Sequence, residues 1–407
     1  MINEVGKLFL GNSPDWYKFT IIGFLAINPI LLFVFNTLGL NAGFIMGWIF
    51  LLQFIFTLAL ALKCYPLQPG GLLAIQALVL NLTSPDAVLY EIEHNLEVIL
   101  LLIFMVAGIF FMKNLMLTIF TKLLLNVKSK VALSLLFSFS AAILSAFLDA
   151  LTVTAVLIAV TVGFYRVFHA VASNKSFSDG DHNHLDNSQL DQAKINDFEE
   201  FKAFLRDLIM HGAVGTALGG VCTIVGEPQN LLIAKIAGWE FIEFFIRMAP
   251  ITMPVLLVGL LTCYLLEQFR ILGFGNQLPK SVRNVFNEYA TYEKDTITIK
   301  QKSELLIESL VLIFLIIALA FHIAAVGLIG LAVIILLTSF KGITEEHHLG
   351  EAFHEALPFT ALLAVFFAIV SVIHEQHLFT PVITYVLAQD PSTQPVIFYG
   401  ANGFLSA

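Results

Sequence analysis

A single acid interrupts a long apolar stretch in the first half of the chain. Asp149 is the only charged residue between Lys130 and Arg166. A charged carboxylate at the centre of a bilayer costs about 3 kcal/mol or more, so such a residue favours an ion-binding or proton-carrying role. Hydroxyl side chains lie near it in the sequence: Ser145, Thr152 and Thr154. They either join the carboxylate as ion ligands or hydrogen-bond back to their own helix.

A second candidate group interrupts another apolar run at GEPQN (226–230). Pro228 has no backbone N–H and Gly226 lets the backbone leave helical dihedrals. We therefore predict a transmembrane helix that breaks here and resumes at Pro228. Carbonyl groups at the end of the first half-helix carry partial negative charge. Oxygen-bearing side chains surround the break: Thr223, Glu227, Gln229 and Asn230. Hard cations prefer such ligands, which predicts a cation site; the alternative role for Glu227 is to cap the resumed helix.

The composition places the chain in a bilayer. Of its 407 residues, 58% are hydrophobic and 13% charged, and the mean hydropathy is +0.87. Soluble domains are about a quarter charged, so a water-soluble enzyme is excluded. The continuous apolar runs also lack the alternation of β-barrel strands. Neither an HExxH nor a GxSxG motif is present, and we expect no enzymatic activity.

We expect no cofactor, no resident metal ion and no nucleic-acid partner. The cysteines Cys64, Cys222 and Cys263 share no CxxC or CxxH spacing, so they predict neither a disulfide framework nor a metal site. The pair His347–His348 is likewise interpreted as part of a solvated stretch. The expected partners are the lipid bilayer and the transported ions.

Loop charge predicts the topology. Segment 113–130 carries lysines and no acid, which favours the cytoplasm, and we place 166–208 and 267–304 on the same side. Residues 131–165 must then leave and return within about 35 residues, whereas two full spans need about 40 plus a turn. We therefore predict a re-entrant hairpin with two arms of about 17 residues and Asp149 at its tip. Its many small residues permit close helix packing.

The predicted fold is an all-α polytopic membrane protein with an internal repeat. Residues 363–378 resemble residues 103–115, and the same offset predicts a second hairpin that starts near the C-terminus, with the second repeat continuing past Ala407. We predict four parts: N-terminal scaffold helices (1–130), the first hairpin with its loop and the broken helix (131–266), a cytoplasmic linker (267–304), and the second repeat (305–407).

Several motifs resemble those of one transporter family. The most specific are SPDWYK (13–18), LKCYPLQPGGLLAI (62–75), LSAFLDALT (144–152), GTALGGVCTIVGEPQNLLIAK (215–235) and EALPFTALLAVFF (355–367). Over essentially its whole length the chain resembles the NhaB-type sodium/proton antiporters of the ion transporter superfamily. The combination of the acidic FLDALT segment with GEPQN is what narrows the resemblance to this family.

The resemblance implies two inverted repeats, each with a re-entrant hairpin and a broken transmembrane helix, in a bacterial inner-membrane protein that is often a homodimer. It implies electrogenic exchange of sodium or lithium for protons by alternating access, which serves pH homeostasis. Asp149 matches the aspartate used by the family, and we predict that a proton and a cation compete for it. The alternative is a sodium-coupled carrier of an anion such as a dicarboxylate or arsenite, which the charge of Asp149 disfavours.

Overall fold

The computed structural model describes residues 8–148, 150–173 and 195–406. These residues form helices joined by short connections, and no strand occurs among them. A helix satisfies its own backbone hydrogen bonds, which is what a chain within hydrocarbon requires. The predicted all-α class is therefore confirmed for the described part of the chain.

Seven described helices are long and apolar enough to cross a membrane. They are Asp15–Thr37, Ala42–Ala59, Lys130–Phe147, Thr152–Ala172, Phe241–Phe269, Ile299–Ala320 and Ala356–Glu375. This number supports a polytopic, multi-pass membrane protein. The inverted repeats and the re-entrant geometry remain predictions.

One compact unit comprises Met1–Leu96 together with Pro358–Ala407. Its core includes Phe50, Leu73 and Val372. A buried amide network joins three of its helices, because the Asn28 side chain donates to Gln53 Oε1 and Gln76 Oε1, both at 2.8 Å. Its helices are Asp15–Thr37, Ala42–Ala59, Leu67–Val79, Pro85–His94, the last part of Glu346–Glu375, Thr380–Leu387 and Gln394–Ser406.

The second compact unit is Glu97–Leu357 and contains both candidate groups. We call Lys130–Phe147 the first arm, Ala150–Ala172 the second arm, Ile195–Gly220 the long half-helix and Pro228–Ala237 the short half-helix. The remaining helices are Leu96–Phe110 with a π-helical turn at Leu101–Met105, Lys113–Asn126, Phe241–Phe269, Lys280–Thr296, Ile299–Ala320, Val326–Lys341 and the first part of Glu346–Glu375.

The two arms differ in length from the predicted hairpin. The first arm has 18 residues and the second has 23. The second arm is longer because it continues past Arg166 to Ala172. The first arm ends at Phe147 and the second begins at Ala150, which agrees with the predicted position of the turn. Asp149 itself lies outside the described residues.

The described parts of the segments predicted as loops are largely helical. Helix Lys113–Asn126 occupies most of 113–130, the long half-helix begins at Ile195 within 166–208, and helix Lys280–Thr296 lies within 267–304. The long half-helix carries charged residues, but it also has a buried aromatic face, which is formed by Phe198, Phe201 and Phe204. An amphipathic helix of this kind is stabilised by burial of one face although its average hydropathy is low. The cytoplasmic placement of the three segments, and the four-part division, remain predictions.

Candidate functional site at the broken helix

The predicted helix break is present. The long half-helix ends at Gly220, residues 221–227 leave the helical path, and the short half-helix begins with Pro228. Proline suits this first position because the N–H that it lacks would have no partner within the helix. Gly238, with φ of 69°, ends the short half-helix in a left-handed conformation that favours glycine.

Gly226 is needed for space and not for an unusual dihedral. It is not among the glycines with positive φ, so no left-handed conformation requires glycine here, although the backbone does leave the helical path as predicted. A Cβ at this position would overlap the carbonyl oxygen and the Cα of Gly220. The chain therefore folds back until the break touches the end of the long half-helix, and only a residue without a side chain fits there.

Asn230 holds the two halves of the broken helix together. Its side-chain nitrogen donates to the carbonyl oxygens of Gly220 at 2.9 Å and Thr223 at 2.8 Å. Because both acceptors are carbonyls, it is the amide NH₂ group that faces them. The prediction concerned the amide oxygen of Asn230 as an ion ligand, whereas the described contacts involve its nitrogen.

Thr223 joins the break to the first arm. Its hydroxyl donates to the carbonyl oxygen of Ala146 and accepts from the backbone N–H groups of Val225 and Gly226, each at 3.3 Å. A hydroxyl has one proton and two lone pairs, so all its hydrogen-bonding positions are engaged by protein groups. In this arrangement Thr223 positions the carbonyls of its neighbours.

Both arms contact the broken helix. The backbone N–H of Ala150, the first residue of the second arm, donates to the carbonyl oxygen of Gly226 at 3.4 Å. In the first arm, the buried Ser145 hydroxyl donates to the carbonyl oxygen of Thr216 at 2.8 Å. The two groups that the sequence placed more than seventy residues apart thus meet in space.

Glu227 occupies the residue before the short half-helix, yet its side chain makes no N-capping hydrogen bond. A Cβ built on Gly220 would lie 3.1 Å from Glu227 Oε1 and 3.2 Å from Ser145 Oγ. The carboxylate is therefore directed back towards the long half-helix and the first arm. Glu227 was considered as a cation ligand or as a cap of the resumed helix, and this geometry does not show the capping role.

Three other predicted site residues lie at the edge of the contacts between the break and the two arms. Thr154 donates to the carbonyl oxygen of Ala150 at 2.8 Å, which is the back-bonding alternative, and its hydroxyl lies 3.1 Å from that of Thr216. Thr152 is half-buried in the first turn of the second arm, whereas Gln229 is exposed. The structure thus assembles Ser145, Thr223, Gly226, Glu227 and Asn230, and leaves Gln229 outside.

A glycine seam, formed by Gly215 and Gly219, packs the long half-helix against the first arm. A Cβ at Gly215 would overlap the backbone of Ser138, and one at Gly219 would overlap the backbone of Ala142. Close backbone approach through small residues is a common way for membrane helices to associate. Small residues of the first arm therefore pack closely against the long half-helix, whereas the sequence predicted close packing within the hairpin, which stays a prediction.

An apolar cavity of about 400 Å³ lies on another side of the break. Ala146, Phe147, Cys222, Thr223 and Phe241 are among its lining residues. Hydrocarbon walls offer few ligands to a hard cation. The polar face of the break, towards Glu227 and Ser145, is therefore the better candidate for ion binding.

Two further groups of ionisable residues lie outside the break. The first is a buried charge cluster, formed by Lys130, Asp207, His211 and Glu267 on three helices. The second is an exposed group, Glu345, His347 and His348, whose ligand atoms lie within 4.8 Å of one another. Exposed groups of this kind are common without a metal ion, so the second group carries no assignment. No local sequence pattern predicts the charge cluster, because its members come from three helices that are far apart in the sequence.

Comparison with known proteins identifies the family of the chain. The family described as "Bacterial Na+/H+ antiporter B (NhaB)" matches residues 1–407. A protein named Na(+)/H(+) antiporter NhaB from Marinomonas sp. (strain MWYL1) is 60% identical over 405 residues, covering 100% of this chain and 80% of the relative. Proteins of the same name from Hahella chejuensis (strain KCTC 2396) and Shewanella denitrificans (strain OS217 / ATCC BAA-1090 / DSM 15013) are 58% and 59% identical, covering 98% and 99% of this chain and 78% and 76% of their own lengths. The chain therefore belongs to the NhaB family of bacterial sodium/proton antiporters, a family of transporters and not of enzymes.

Proposed function

We propose that this protein exchanges sodium, or lithium, for protons across the bacterial inner membrane. Support comes from the family match over the whole chain and from relatives that carry the name Na(+)/H(+) antiporter. The seven apolar helices suit a multi-pass carrier that moves an ion between two aqueous compartments.

The transported cation binds between the turn of the hairpin and the break of the long half-helix. The observation that carries this proposal is the hydrogen bond from Ala150 N–H to the Gly226 carbonyl oxygen. It joins the residue that follows Asp149 in the sequence to the residue that precedes Glu227. Ser145, whose hydroxyl lies near the Glu227 carboxylate, adds a further oxygen on the same side.

A proton and a sodium ion compete for the Asp149 carboxylate. A protonated carboxyl group is neutral and binds a cation weakly, so proton uptake releases sodium and sodium binding releases the proton. Carbonyl oxygens of the break have two lone pairs each, so those that already accept one hydrogen bond still have capacity to ligate sodium. Thr223 and Asn230 hold these carbonyls in place.

Exchange proceeds by alternating access and moves net charge. We propose that the two arms and the broken helix move together, so that the site opens to one side of the membrane at a time. Broken helices at the substrate site are a recurring feature of such carriers. The glycine seam supports a common movement, because two helices in backbone contact cannot slide past each other without a clash.

The test replaces Asp149 with asparagine, which keeps the size of the side chain and removes its charge. Sodium-driven pH change is measured in everted vesicles, with and without an imposed membrane potential. We expect Asp149→Asn to lose exchange by at least about tenfold, equivalent to about 1.4 kcal/mol or more of cation stabilisation. In the unmodified protein, a dependence on membrane potential would support electrogenic exchange.

The matched control is Asp86→Asn, which makes the same change at an exposed position in helix Pro85–His94. It should exchange at the unmodified rate. If Asp149→Asn, present in the membrane at equal amount, exchanged sodium as fast as this control, the carboxylate would have no part in the exchange and the proposed site would be wrong.

A further inference from the structure

The charge cluster shares the first arm and the long half-helix with the broken-helix site but lies further from the break. Lys130 is the first residue of the first arm, Asp207 and His211 lie in the long half-helix, and Glu267 is near the end of helix Phe241–Phe269. The side chains of all four are at most 4% exposed. From His211 to the end of the long half-helix at Gly220 is about 14 Å at 1.5 Å per residue.

The two oxygens of Glu267 have very different surroundings. Oε1 accepts from Ser134 Oγ at 2.9 Å and from His211 Nε2 at 2.9 Å, and lies 3.3 Å from Lys130 Nζ. Oε2 is buried and makes no hydrogen bond with any described residue. A buried polar atom left in this way costs about 1–3 kcal/mol, so it needs an explanation.

In contrast to Glu267, both carboxylate oxygens of Asp207 accept hydrogen bonds. Its Oδ2 accepts from Asn276 Nδ2 at 2.9 Å and from the Asn276 N–H at 3.2 Å, and Oδ1 accepts from Arg206 at 3.1 Å. Lys130 Nζ is 3.8 Å from Asp207 Oδ2 and makes no hydrogen bond with a described residue. The available position for a proton is therefore at Glu267 and its histidine neighbour, and not at Asp207.

The charges of the buried groups do not balance. One ammonium, of Lys130, faces two carboxylates, of Asp207 and Glu267, which leaves one negative charge when His211 is neutral. The Arg206 side chain is 55% exposed, so solvent screens much of its effect. Among the described residues, the other ionisable group facing Glu267 is the Cys263 thiol, one turn earlier on the same helix. A net negative charge in a low-dielectric interior favours binding of a proton.

The hydrogen bond from His211 determines where that proton goes. A carboxylate oxygen only accepts, so Nε2 of His211 must carry its hydrogen, and a further proton binds at Nδ1 or at Oε2 of Glu267. The His211 ring also packs 4.7 Å from the ring of Phe274, which holds it in this orientation.

We propose that His211 and Glu267 together hold one exchangeable proton and form a second proton-binding site of the exchange cycle, separate from the hairpin. This proposal rests on the proposed antiport function. Protonation makes the cluster neutral and deprotonation leaves a charge between the first arm, the long half-helix and helix Phe241–Phe269. The state of the cluster therefore acts on the first arm and the long half-helix, which also form the sodium site.

The test compares His211→Gln with Ser134→Ala and His354→Gln in the full chain. Glutamine retains a donor towards Glu267 but does not titrate. Ser134→Ala removes another hydrogen bond to the same oxygen without removing a titrating group, and His354→Gln removes an exposed histidine of the same unit. Sodium-driven exchange is measured at half-unit steps between about pH 6 and 9.

We expect His211→Gln alone to lower the steepness of the pH profile by one proton while retaining exchange. A potentiometric titration of the purified proteins provides a second readout, in which the unmodified protein should take up one proton more than His211→Gln between the ends of that range. Equal profiles and equal proton uptake for the two would overturn the proposal. Proton uptake by the purified proteins is measured without exchange, so it tests this proposal even if Asp149→Asn retains exchange and the proposed sodium site fails.

Discussion

The Asn230 side-chain amide donates to the carbonyl oxygen of Gly220, the last residue of the long half-helix, across a break of seven residues. The same NH₂ group also bonds Thr223. Carbonyls at the end of a helix have no donor within it, and within a membrane they have no water either. One side chain at the start of the short half-helix thus replaces two missing backbone hydrogen bonds.

Asn230→Asp should destabilise the protein and abolish exchange. The substitution keeps the shape of the side chain but turns a two-proton donor into an acceptor that faces two carbonyl oxygens. We expect a loss of about 2–5 kcal/mol, typical of a buried charged group left without a donor. The measurement is the thermal unfolding midpoint in detergent. Asn126→Asp, at an exposed helix end, is the control, and equal midpoints for the two variants would contradict this role of Asn230.

Gly219→Ala should prevent stable packing of the first arm on the long half-helix. The added methyl group overlaps the backbone of Ala142, which cannot move aside as a flexible side chain can. Gly163→Ala in the second arm is the matched control, because a Cβ there meets no atom within 4 Å. The control should be neutral or more stable by up to about 1 kcal/mol, from helix propensity. The yield of folded protein after membrane extraction distinguishes these outcomes, and an equal yield for both would count against the glycine seam.

Thr223→Val should reduce exchange, and Thr223→Ser should restore most of it. Valine has the same shape but cannot donate to Ala146 or accept from the two N–H groups of the break. Each unsatisfied buried group costs about 1–3 kcal/mol. We expect weaker apparent sodium affinity, measured from the concentration dependence of exchange in everted vesicles. Unchanged affinity in the valine variant would show that this hydroxyl does not position the break.

The buried pair Glu308–Lys341 should stabilise the fold without taking part in ion exchange. Their charged atoms are 2.7 Å apart, Glu308 also accepts from Leu115 N–H at 2.6 Å, and Lys341 donates to Phe111 O at 2.9 Å. Glu308→Gln or Lys341→Met alone leaves an uncompensated buried charge and should cost about 3–5 kcal/mol. The double variant should cost less than the sum of the two.

Thermal unfolding of the four proteins in this cycle gives the coupling energy. Exchange per folded molecule should be the same in all four. A selective loss of exchange in Glu308→Gln, at unchanged stability, would instead assign the pair to the transport pathway.

The helix break could be predicted because its cause is local. Pro228 cannot continue a helix, and the surrounding run is too apolar to be a loop. The position of the turn could be predicted because the length of segment 131–165, between two segments assigned to the same side, sets two arms of nearly equal length. The steric need for glycine at position 226 could not be predicted, because it arises from the close approach of Gly220. That approach depends on how the chain folds back after Thr223.

The charge cluster could not be predicted for a related reason. Asp207 and Glu267 were placed in solvated loops, since acidic residues lower the local hydropathy. In the folded chain they lie on helices that continue beyond the apolar segments and converge on Lys130. These paired residues are more than fifty positions apart in the sequence. Whether they meet depends on how the helices pack, and hydropathy alone does not predict helix packing.

The glycine seam also bears on how tightly the exchange is coupled. Protons pass readily along chains of water molecules, each of which needs about 30 Å³ of room, and two backbones in contact at Gly215 and Gly219 leave none on that flank. Under the proposed alternating access, a proton would reach the far side there only while bound to the moving helices. A variant in which this joint loosened would dissipate the gradient even without sodium, and a cell that depended on it would lose energy through an otherwise intact transporter.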